Sequence, residues 1–375
     1  MKALTEFIDR LTSWRIPWAE VMVIHRNETV IRYRSGFSNL EEETPIEEGR
    51  IFNIYSMTKI MTCVAALKLV EQGKMLLNDP LSAYLPEYAD MNVRKRLPGG
   101  KLEIERAKKP ILVRDLFTMT AGFSYDIGSP SLKEVAEQTN GRVPTRAFAE
   151  ALSKEPLLFE PGTRWNYSLC HDVLAALVEV VDGRRFGAYI REEITGPLGM
   201  KDTAFDLSGE QQSRLLPQYE YKDEQGRPVR KDGNGYRLGT EYESGGAGLL
   251  STVSDYALFL NALTNKGTSP DGVRILSPAM VDLMRTDHLT DRMRVDYNWE
   301  QLKGYGYGLG VRTHASKAQS GSLSPLGEFG WSGAAGCMAI MDPDSGLTVM
   351  YAQHLLNNQE PYIHPRLRNI VYANL

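Results

Sequence analysis

Ser56 and Lys59 stand three positions apart in the sequence Ser-Met-Thr-Lys, which pairs a possible nucleophile with a possible base. On a helix, residues at this spacing share a face, so the amine could lie beside the hydroxyl. Burial disfavours the charged ammonium, and a neutral amine can take the proton of a serine that attacks a carbonyl carbon. The spacing therefore predicts acyl transfer through Ser56. Alone, it also fits a serine that caps a helix and a lysine that reaches solvent.

Two further segments could complete such a site. Tyr167, in the sequence Trp-Asn-Tyr-Ser-Leu, precedes a predicted helix and could present its phenol to a cleft. The small residues of 332–336, which follow Trp331, would let a substrate approach backbone N–H groups, as an oxyanion hole requires. Each segment also fits a structural role, namely a core tyrosine bound to a carbonyl group and a tight strand edge.

The pattern of apolar residues predicts how these segments are positioned. Alternating runs over 19–25 and 29–35 predict a β-hairpin, and short strand-like segments return over 305–313 and between 328 and 353. Helical spacing prevails in between, and residues 59–70 are so apolar that they predict a helix buried on most sides. Since strands from the two chain ends must pair, we predict an α/β (α+β) fold: one antiparallel sheet, flanking helices and an inserted helical region.

This pattern also predicts a division into two domains. Residues 1–60 and 300–375 would form the sheet domain, and residues 61–299 would form the mostly helical domain. The active site would then lie in the cleft between them.

Composition restricts the classes of protein to consider. The 375 residues are 42% hydrophobic and 24% charged, as in soluble globular proteins, and a net charge of -4 argues against a nucleic-acid partner. No run of about 18 apolar residues predicts a membrane span, and acidic residues interrupt the N-terminal segment where a secretory signal would be apolar. The sequence has three cysteines, Cys63, Cys170 and Cys337, and no CxxC pair. An odd number of cysteines without such a pair predicts free buried thiols and a cytoplasmic location.

Together, in this order and separation, the three motifs resemble the serine β-lactamases and penicillin-binding proteins, in the class C branch. The closer similarity is to the carboxylesterases of family VIII. The resemblance covers nearly all of the chain from about Trp18 onward and includes residues 109–122, 245–252 and 341–343. It implies a class C β-lactamase-like fold and hydrolysis through an acyl-enzyme intermediate.

The resemblance also implies a role for each motif residue. Ser56 is similar to the acylated serine, Lys59 to its lysine partner, and Tyr167 to the catalytic tyrosine of the family's YxN motif. The backbone N–H groups of Ser56 and Ala334 would form the oxyanion hole. The substrate would contact the residues that replace the KTG motif and the YxN asparagine, which are Trp331, Ser332, Gly333 and Leu169.

Two of these positions depart from the family pattern. Leu169 replaces the asparagine of YxN, and Trp331 replaces the lysine of KTG. An indole in place of an ammonium removes a site for a substrate carboxylate, so the implied function is a serine carboxylesterase acting on small acyl esters. With one cation lost, we also expect an alkaline optimum of activity, unless Arg312 or His314 supplies a replacement.

Two other functions fit the same sequence. A β-lactamase or D-amino-acid peptidase would use the same machinery, and a non-catalytic scaffold or acyl-binding protein would keep only the fold. The sequence has no HExxH and no clustered Cys and His, so neither a metal nor another cofactor is expected. The expected partner is a small-molecule ester, with neither nucleic acid nor membrane, and no oligomeric state is predicted.

Two segments outside these motifs carry weaker predictions. The basic segment 92–109 predicts a solvated hairpin, with a substrate-facing flap as the alternative. His171 and Asp172 predict packing and capping at the start of a helix.

Overall fold

The computed structural model describes residues 1–14, 16–97, 99–222 and 226–375. The helices are α1 (Lys2–Trp14), α2 (Thr58–Glu71), α3 (Val113–Phe117), α4 (Pro130–Gln138), α5 (Thr145–Leu152), α6 (Cys170–Asp182), α7 (Phe186–Ile190), α8 (Gly209–Ser213), α9 (Val253–Thr264), α10 (Pro278–Met284), α11 (Asp291–Arg294), α12 (Lys317–Ser320) and α13 (Glu360–Tyr372). The strands are β1 (Trp18–His25), β2 (Glu28–Asn39), β3 (Thr44–Pro45), β4 (Phe52–Asn53), β5 (Asn92–Arg96), β6 (Leu102–Arg106), β7 (Gln218–Glu220), β8 (Val229–Lys231), β9 (Leu250–Ser251), β10 (Tyr305–Tyr307), β11 (Arg312–His314), β12 (Phe329–Gly330), β13 (Met338–Asp342), β14 (Leu347–Ala352) and β15 (Leu355–Leu356).

The main sheet joins strands from both ends of the chain. Its order is β10-β11-β12-β13-β14-β1-β2-β3, and its neighbouring strands are antiparallel. The predicted N-terminal hairpin is β1 and β2, whose turn contains Arg26 and Asn27 at φ 52° and 69°. In the centre of the sheet, Val23 of β1 pairs with Val349 of β14. The predicted antiparallel sheet with flanking helices is therefore confirmed.

Alternation along the central strands divides the apolar side chains between two layers. On β13, Met338 and Ile340 pack in a hydrophobic cluster with α1 and α13, whereas Ala339 and Met341 belong to the cluster that contains α2, α6 and α9. Side chains of successive strand residues point to opposite faces, so one strand contributes to both layers. The helix α1 begins the first cluster with Leu4, Phe7, Ile8 and Leu11, which recur at helical spacing.

The helix α2 is the centre of the helical region. All of its residues except Lys68, Val70 and Glu71 are buried, as the apolar run predicted. The larger hydrophobic cluster contains α2 residues together with sheet residues such as Trp18, so the two regions share one core. The division into domains 1–60 with 300–375 and 61–299 stays a prediction.

The structure also bears on two sequence predictions, which concern membrane-spanning helices and the state of the cysteines. Within the described residues, no helix combines the length and the apolar character that crossing a membrane requires. The three cysteines are buried and free, as predicted. The cytoplasmic location that their usage suggested stays a prediction.

Candidate active site

The segment that carries Ser56 is held in a strained turn. A single 3-10 turn, Tyr55–Met57, leads into α2. Tyr55 has a φ of 46°, in the left-handed region that side chains other than glycine adopt at a cost of about 1–3 kcal/mol. It is 1% exposed, and its hydroxyl donates a hydrogen bond to the side-chain carbonyl of Gln218. Packing around Tyr55 therefore maintains a backbone conformation that places Ser56 at the edge of a cavity.

Gly333 lets the third motif approach this turn closely. A Cβ atom on Gly333 would overlap the carbonyl oxygen of Ile54 and the sulfur of Cys337. The Gly333 N–H donates to the carbonyl of Cys337 at 2.9 Å, which closes a tight turn after β12. The small residue that the sequence places here is thus needed for contact between the third motif and the nucleophile segment.

Lys59 is a buried lysine on a largely apolar helix, and three polar groups contact its amine. Its side chain is 0% exposed, and Nζ donates to the carbonyl oxygen of Gly246 at 2.7 Å, to Oγ of Ser56 at 3.3 Å and to the hydroxyl of Tyr125 at 3.3 Å. An ammonium has three N–H bonds, so these partners satisfy all of them. Lys59 forms no ion pair with the residues that the structure describes. As a neutral amine it could keep two of these hydrogen bonds and turn its lone pair to Ser56.

Asp172 positions the loop that faces Lys59. Its Oδ1 accepts hydrogen bonds from the hydroxyls of Tyr242 and Ser244 at 2.7 and 2.6 Å, and from the N–H of Gly246 at 3.2 Å. Asp172 therefore organises a neighbouring loop, whereas the helix-start capping that the sequence predicted is not found, because no side-chain hydrogen bond among the described residues caps α6. The adjacent His171 is packed as predicted: its Nε2 lies 3.2 Å from the carbonyl of Phe117, and burial lowers its pKa to about 3.

Two stacked tyrosines cover the amine. The rings of Tyr125 and Tyr167 are 5.4 Å apart at 18°, and Nζ of Lys59 lies 4.6 Å from the centre of the Tyr167 ring. The hydroxyl of Tyr167 receives a hydrogen bond from Nε1 of Trp331 at 3.4 Å. Burial raises the pKa of Tyr125 well above its ordinary value, so this phenol stays neutral. Sequence reasoning missed Tyr125, whose only signal is its place three residues after segment 109–122.

A cavity of about 390 Å³ opens beside Ser56. Aromatic rings form much of its wall, and Trp299 packs against both Tyr167 and Trp331 at 5.1 and 6.1 Å between ring centres. The cavity brings together most of the predicted site residues. Its lining residues are Ser56, Tyr125, Tyr167, Tyr236, Trp299, Trp331, Ser332, Gly333, Ala334 and Glu360.

Leu169 lies apart from this cavity. It is 2% exposed, precedes the first residue of α6, and packs in the hydrophobic core. Its N–H donates to the carbonyl of Ser124 at 3.2 Å. The structure therefore places Leu169 in the core, where a leucine is more stable than at a polar surface, rather than in contact with a substrate as the resemblance implied.

The predicted oxyanion donors are both available. Among the described residues, neither the N–H of Ser56 nor that of Ala334 donates to another backbone group. The carbonyl of Ala334 accepts a hydrogen bond from the Asn358 side chain at 3.0 Å, which orients this part of the loop. Their joint role in an oxyanion hole stays a prediction.

The two candidates for a replacement cation lie elsewhere. Arg312 is buried and pairs with Glu328 at 2.7 Å. His314 faces the hydroxyl of Ser320 at 2.8 Å and the carbonyl of Pro325 at 3.0 Å. Neither residue lines the cavity, so the alkaline optimum expected from the missing lysine stays a prediction.

The basic segment 92–109 forms the hairpin of β5 and β6. Its described residues are mostly exposed, and none of them lines the cavity beside Ser56. This placement favours the solvated hairpin over the substrate-facing flap.

Among the residues that the structure describes, Glu360 is the one acidic residue that lines the cavity, and sequence reasoning missed it. It begins α13, and its Oε2 accepts a hydrogen bond from Oγ of Ser332 at 3.3 Å. Burial raises the pKa of Glu360 to about 7. No sequence motif surrounds it, because only the fold brings the C-terminal helix to the nucleophile.

Comparison with known proteins gives one family. Residues 5–372 match the family model described as Beta-lactamase. Protein Rv1367c of Mycobacterium tuberculosis is 34% identical over 343 residues, which are 89% of this chain and 84% of that protein. Esterase EstB of Burkholderia gladioli is 28% identical over 372 residues, or 92% of this chain and 87% of that protein. The solved structure of EstCE1, a hydrolase with promiscuous acyltransferase activity, shares the fold with a TM-score of 0.79 at 22% identity, covering 99% of each chain.

Proposed function

The chain belongs to the beta-lactamase family, and from this premise we propose that it is a serine carboxylesterase that cleaves small acyl esters through an acyl-enzyme on Ser56. The observation that carries the proposal is the hydrogen bond between Nζ of Lys59 and Oγ of Ser56. This buried amine pairs with no carboxylate among the described residues and lies one helical turn from a serine at a cavity edge, so it is suited to take the serine proton.

In the first step, Lys59 accepts the proton of Ser56 while Oγ attacks the ester carbonyl carbon. The carbonyl oxygen becomes an oxyanion, to which the N–H groups of Ser56 and Ala334 donate. The tetrahedral intermediate then collapses, the C–O bond to the alcohol breaks, and Tyr167 gives a proton to the leaving oxygen. The ammonium of Lys59 then returns its proton to Tyr167 through an intervening water, because Nζ contacts the face of the Tyr167 ring rather than its hydroxyl.

In the second step, water replaces the alcohol. Tyr167 or Lys59 takes a proton from this water, which attacks the acyl carbon. The bond to Oγ of Ser56 breaks, and the serine regains its proton as the carboxylic acid leaves.

The cavity supports an ester substrate over a carboxylate-bearing β-lactam. An indole stands at position 331, and no lysine or arginine among the described residues lines the cavity. A carboxylate substrate would also meet Glu360, which repels it whenever Glu360 is ionised. The β-lactamase or D-amino-acid peptidase alternative lacks the cation that would bind such a substrate.

The test is a panel of 4-nitrophenyl acyl esters and β-lactams, combined with a fluorophosphonate probe read by intact mass. We expect hydrolysis of short esters and one covalent probe adduct, both lost in Ser56→Ala at an unchanged melting temperature. Ser213→Ala, an exposed serine on α8, is the matched control and should retain both. Addition of a primary alcohol shows whether the acyl group also passes to an acceptor other than water.

Other outcomes would select the alternatives. Ester turnover within tenfold of the parent in Ser56→Ala would contradict the assigned nucleophile. A cephalosporin handled as well as a butyrate ester would favour the β-lactamase alternative. Absence of any covalent adduct and of turnover would favour the non-catalytic scaffold or acyl-binding protein.

A further inference from the structure

Glu360 is a carboxyl group without a counter-ion inside the candidate active site. Its side chain is 17% exposed and lines the same cavity as Ser56. The one basic group within 4.0 Å among the described residues is Nδ1 of His364. The other ring nitrogen of His364 lies 3.0 Å from the carbonyl of Gly336, and burial lowers the pKa of His364 to about 3, so the imidazole is neutral. A hydrogen bond from Ser332 reaches this carboxyl, but no positive charge in the described protein balances a negative charge on it.

Aromatic rings surround the remaining space. Tyr125, Tyr167, Tyr236, Trp299 and Trp331 all line the cavity with Glu360. The faces of aromatic rings carry partial negative charge and attract cations, most strongly where water is excluded. A carboxylate combined with several such rings is a chemical environment for an organic cation.

Among the described residues, the one cation near this space is already bound by protein groups and does not pair with Glu360. Lys59 is 0% exposed and directs its hydrogen atoms to Gly246, Ser56 and Tyr125. Burial raises the pKa of Glu360 to about 7, and an opposite charge brought beside this carboxyl by a ligand would favour its ionised form. Binding of a cation would thus relieve the cost of a buried, unpaired carboxylate.

We propose that Glu360 and the aromatic wall form a subsite for a cationic nitrogen, a protonated or quaternary amine carried by the ester substrate. The inference rests on the proposed function, because it names the substrate class of the same site. The carboxylate pairs with the positive nitrogen, and the rings of Trp299 and Trp331 contact its alkyl groups. The ester carbonyl is then left to reach Ser56.

Two esters of the same shape test this subsite. The 4-nitrophenyl esters of 4-(trimethylammonio)butanoate and 5,5-dimethylhexanoate differ by one atom, a charged nitrogen in place of carbon. We expect the ratio of their kcat/KM values, cationic over neutral, to fall about tenfold in Glu360→Gln, mainly through KM, because the variant lacks the charge that pairs with nitrogen. Glu300→Gln is the matched control: Glu300 is exposed and lies outside the cavity, so the ratio should stay at its wild-type value.

The outcomes separate this inference from the proposed function. A ratio that is the same in Glu360→Gln and the wild type would overturn the subsite, while Ser56-dependent hydrolysis of the neutral ester would still support the esterase. If the wild type hydrolysed neither these two esters nor the short esters of the panel, the proposed function would fail, and a binding measurement would decide whether the subsite exists.

That binding measurement uses no turnover. Benzyltrimethylammonium is titrated into Ser56→Ala and into Ser56→Ala combined with Glu360→Gln, and tryptophan fluorescence is followed. We expect Kd to be at least about fivefold weaker in the double variant, since one charge contact is lost. Equal affinity in the two variants, or no binding to either, would overturn the subsite.

Discussion

The hydroxyl oxygen of Tyr125 lies 3.3 Å from Nζ of Lys59, whereas Tyr167 presents the face of its ring to the same nitrogen at 4.6 Å. The two phenols therefore contact the amine in different ways. Tyr125 holds Lys59 through a hydrogen bond, and Tyr167 directs its hydroxyl to Trp331 on the cavity wall. This arrangement suits Tyr125 to positioning the amine and Tyr167 to exchanging a proton with the substrate.

Removing each hydroxyl tests this division. We expect Tyr167→Phe to lower kcat by about 100-fold or more, the usual scale for loss of a general acid. Tyr125→Phe should lower kcat by about fivefold, because it removes one hydrogen bond of about 1 kcal/mol that orients Lys59. Steady-state kinetics on a butyrate ester measure both, with melting temperatures as the control for folding. A much larger loss in Tyr125→Phe than in Tyr167→Phe would make Tyr125 the proton carrier.

A lysine at position 331 should shift substrate preference. Trp331→Lys adds an ammonium that could bind a substrate carboxylate, an interaction of about 1.5–3 kcal/mol or about 10–100-fold. The measured quantity is kcat/KM for a cephalosporin divided by kcat/KM for a butyrate ester. We expect this ratio to rise by less than about 10–100-fold, because Glu360 lines the same cavity and would compete for the lysine. The double variant Trp331→Lys with Glu360→Gln should show the larger rise. No rise in either variant would refute the role given to Trp331.

A methyl group at Gly333 should disturb the active site through the backbone. In Gly333→Ala the Cβ would overlap the Ile54 carbonyl, so the loop must move away from the nucleophile segment. We expect a loss of about 1–3 kcal/mol in unfolding free energy and of at least about tenfold in kcat. Gly209→Ala is the control, since a Cβ there meets no atom within 4 Å. Wild-type stability and turnover in Gly333→Ala would show that this close approach is not required.

The carboxyl of Glu360 should make stability depend on pH. Its pKa in the folded protein is about 7, raised by burial above the ordinary value near 4.5. Between these two values the folded state binds more protons than the unfolded state, so this group's contribution to stability falls as pH rises toward 7. Glu360→Gln lacks this titration. The difference in unfolding free energy, variant minus wild type, should therefore increase by about 1–3 kcal/mol between pH 4 and pH 8. Urea unfolding of both proteins at the two pH values provides the measurement. A pH-independent difference would contradict the raised pKa.

Local patterns in the sequence were sufficient for much of the architecture. The hairpin of β1 and β2, the buried helix α2 and the return of strands near the C-terminus follow from the spacing of apolar residues, because burial of one face or of a whole element imposes that spacing. The pairing of Ser56 with Lys59 is local as well, since one helical turn separates them. Their contact at 3.3 Å could thus be expected before any tertiary structure was known.

By itself, then, the sequence determined the family, the fold class and the short motifs whose members lie within one turn or one loop. Only the tertiary structure decided which distant groups meet at the nucleophile. Tyr125 reaches Lys59, Glu360 enters the cavity from the C-terminal helix, and Leu169 lies in the core although it is two residues from Tyr167. The reason is physical: spacing along the chain defines the neighbours within one element, whereas the packing of separate elements defines which side chains share a cavity and which are withdrawn from it.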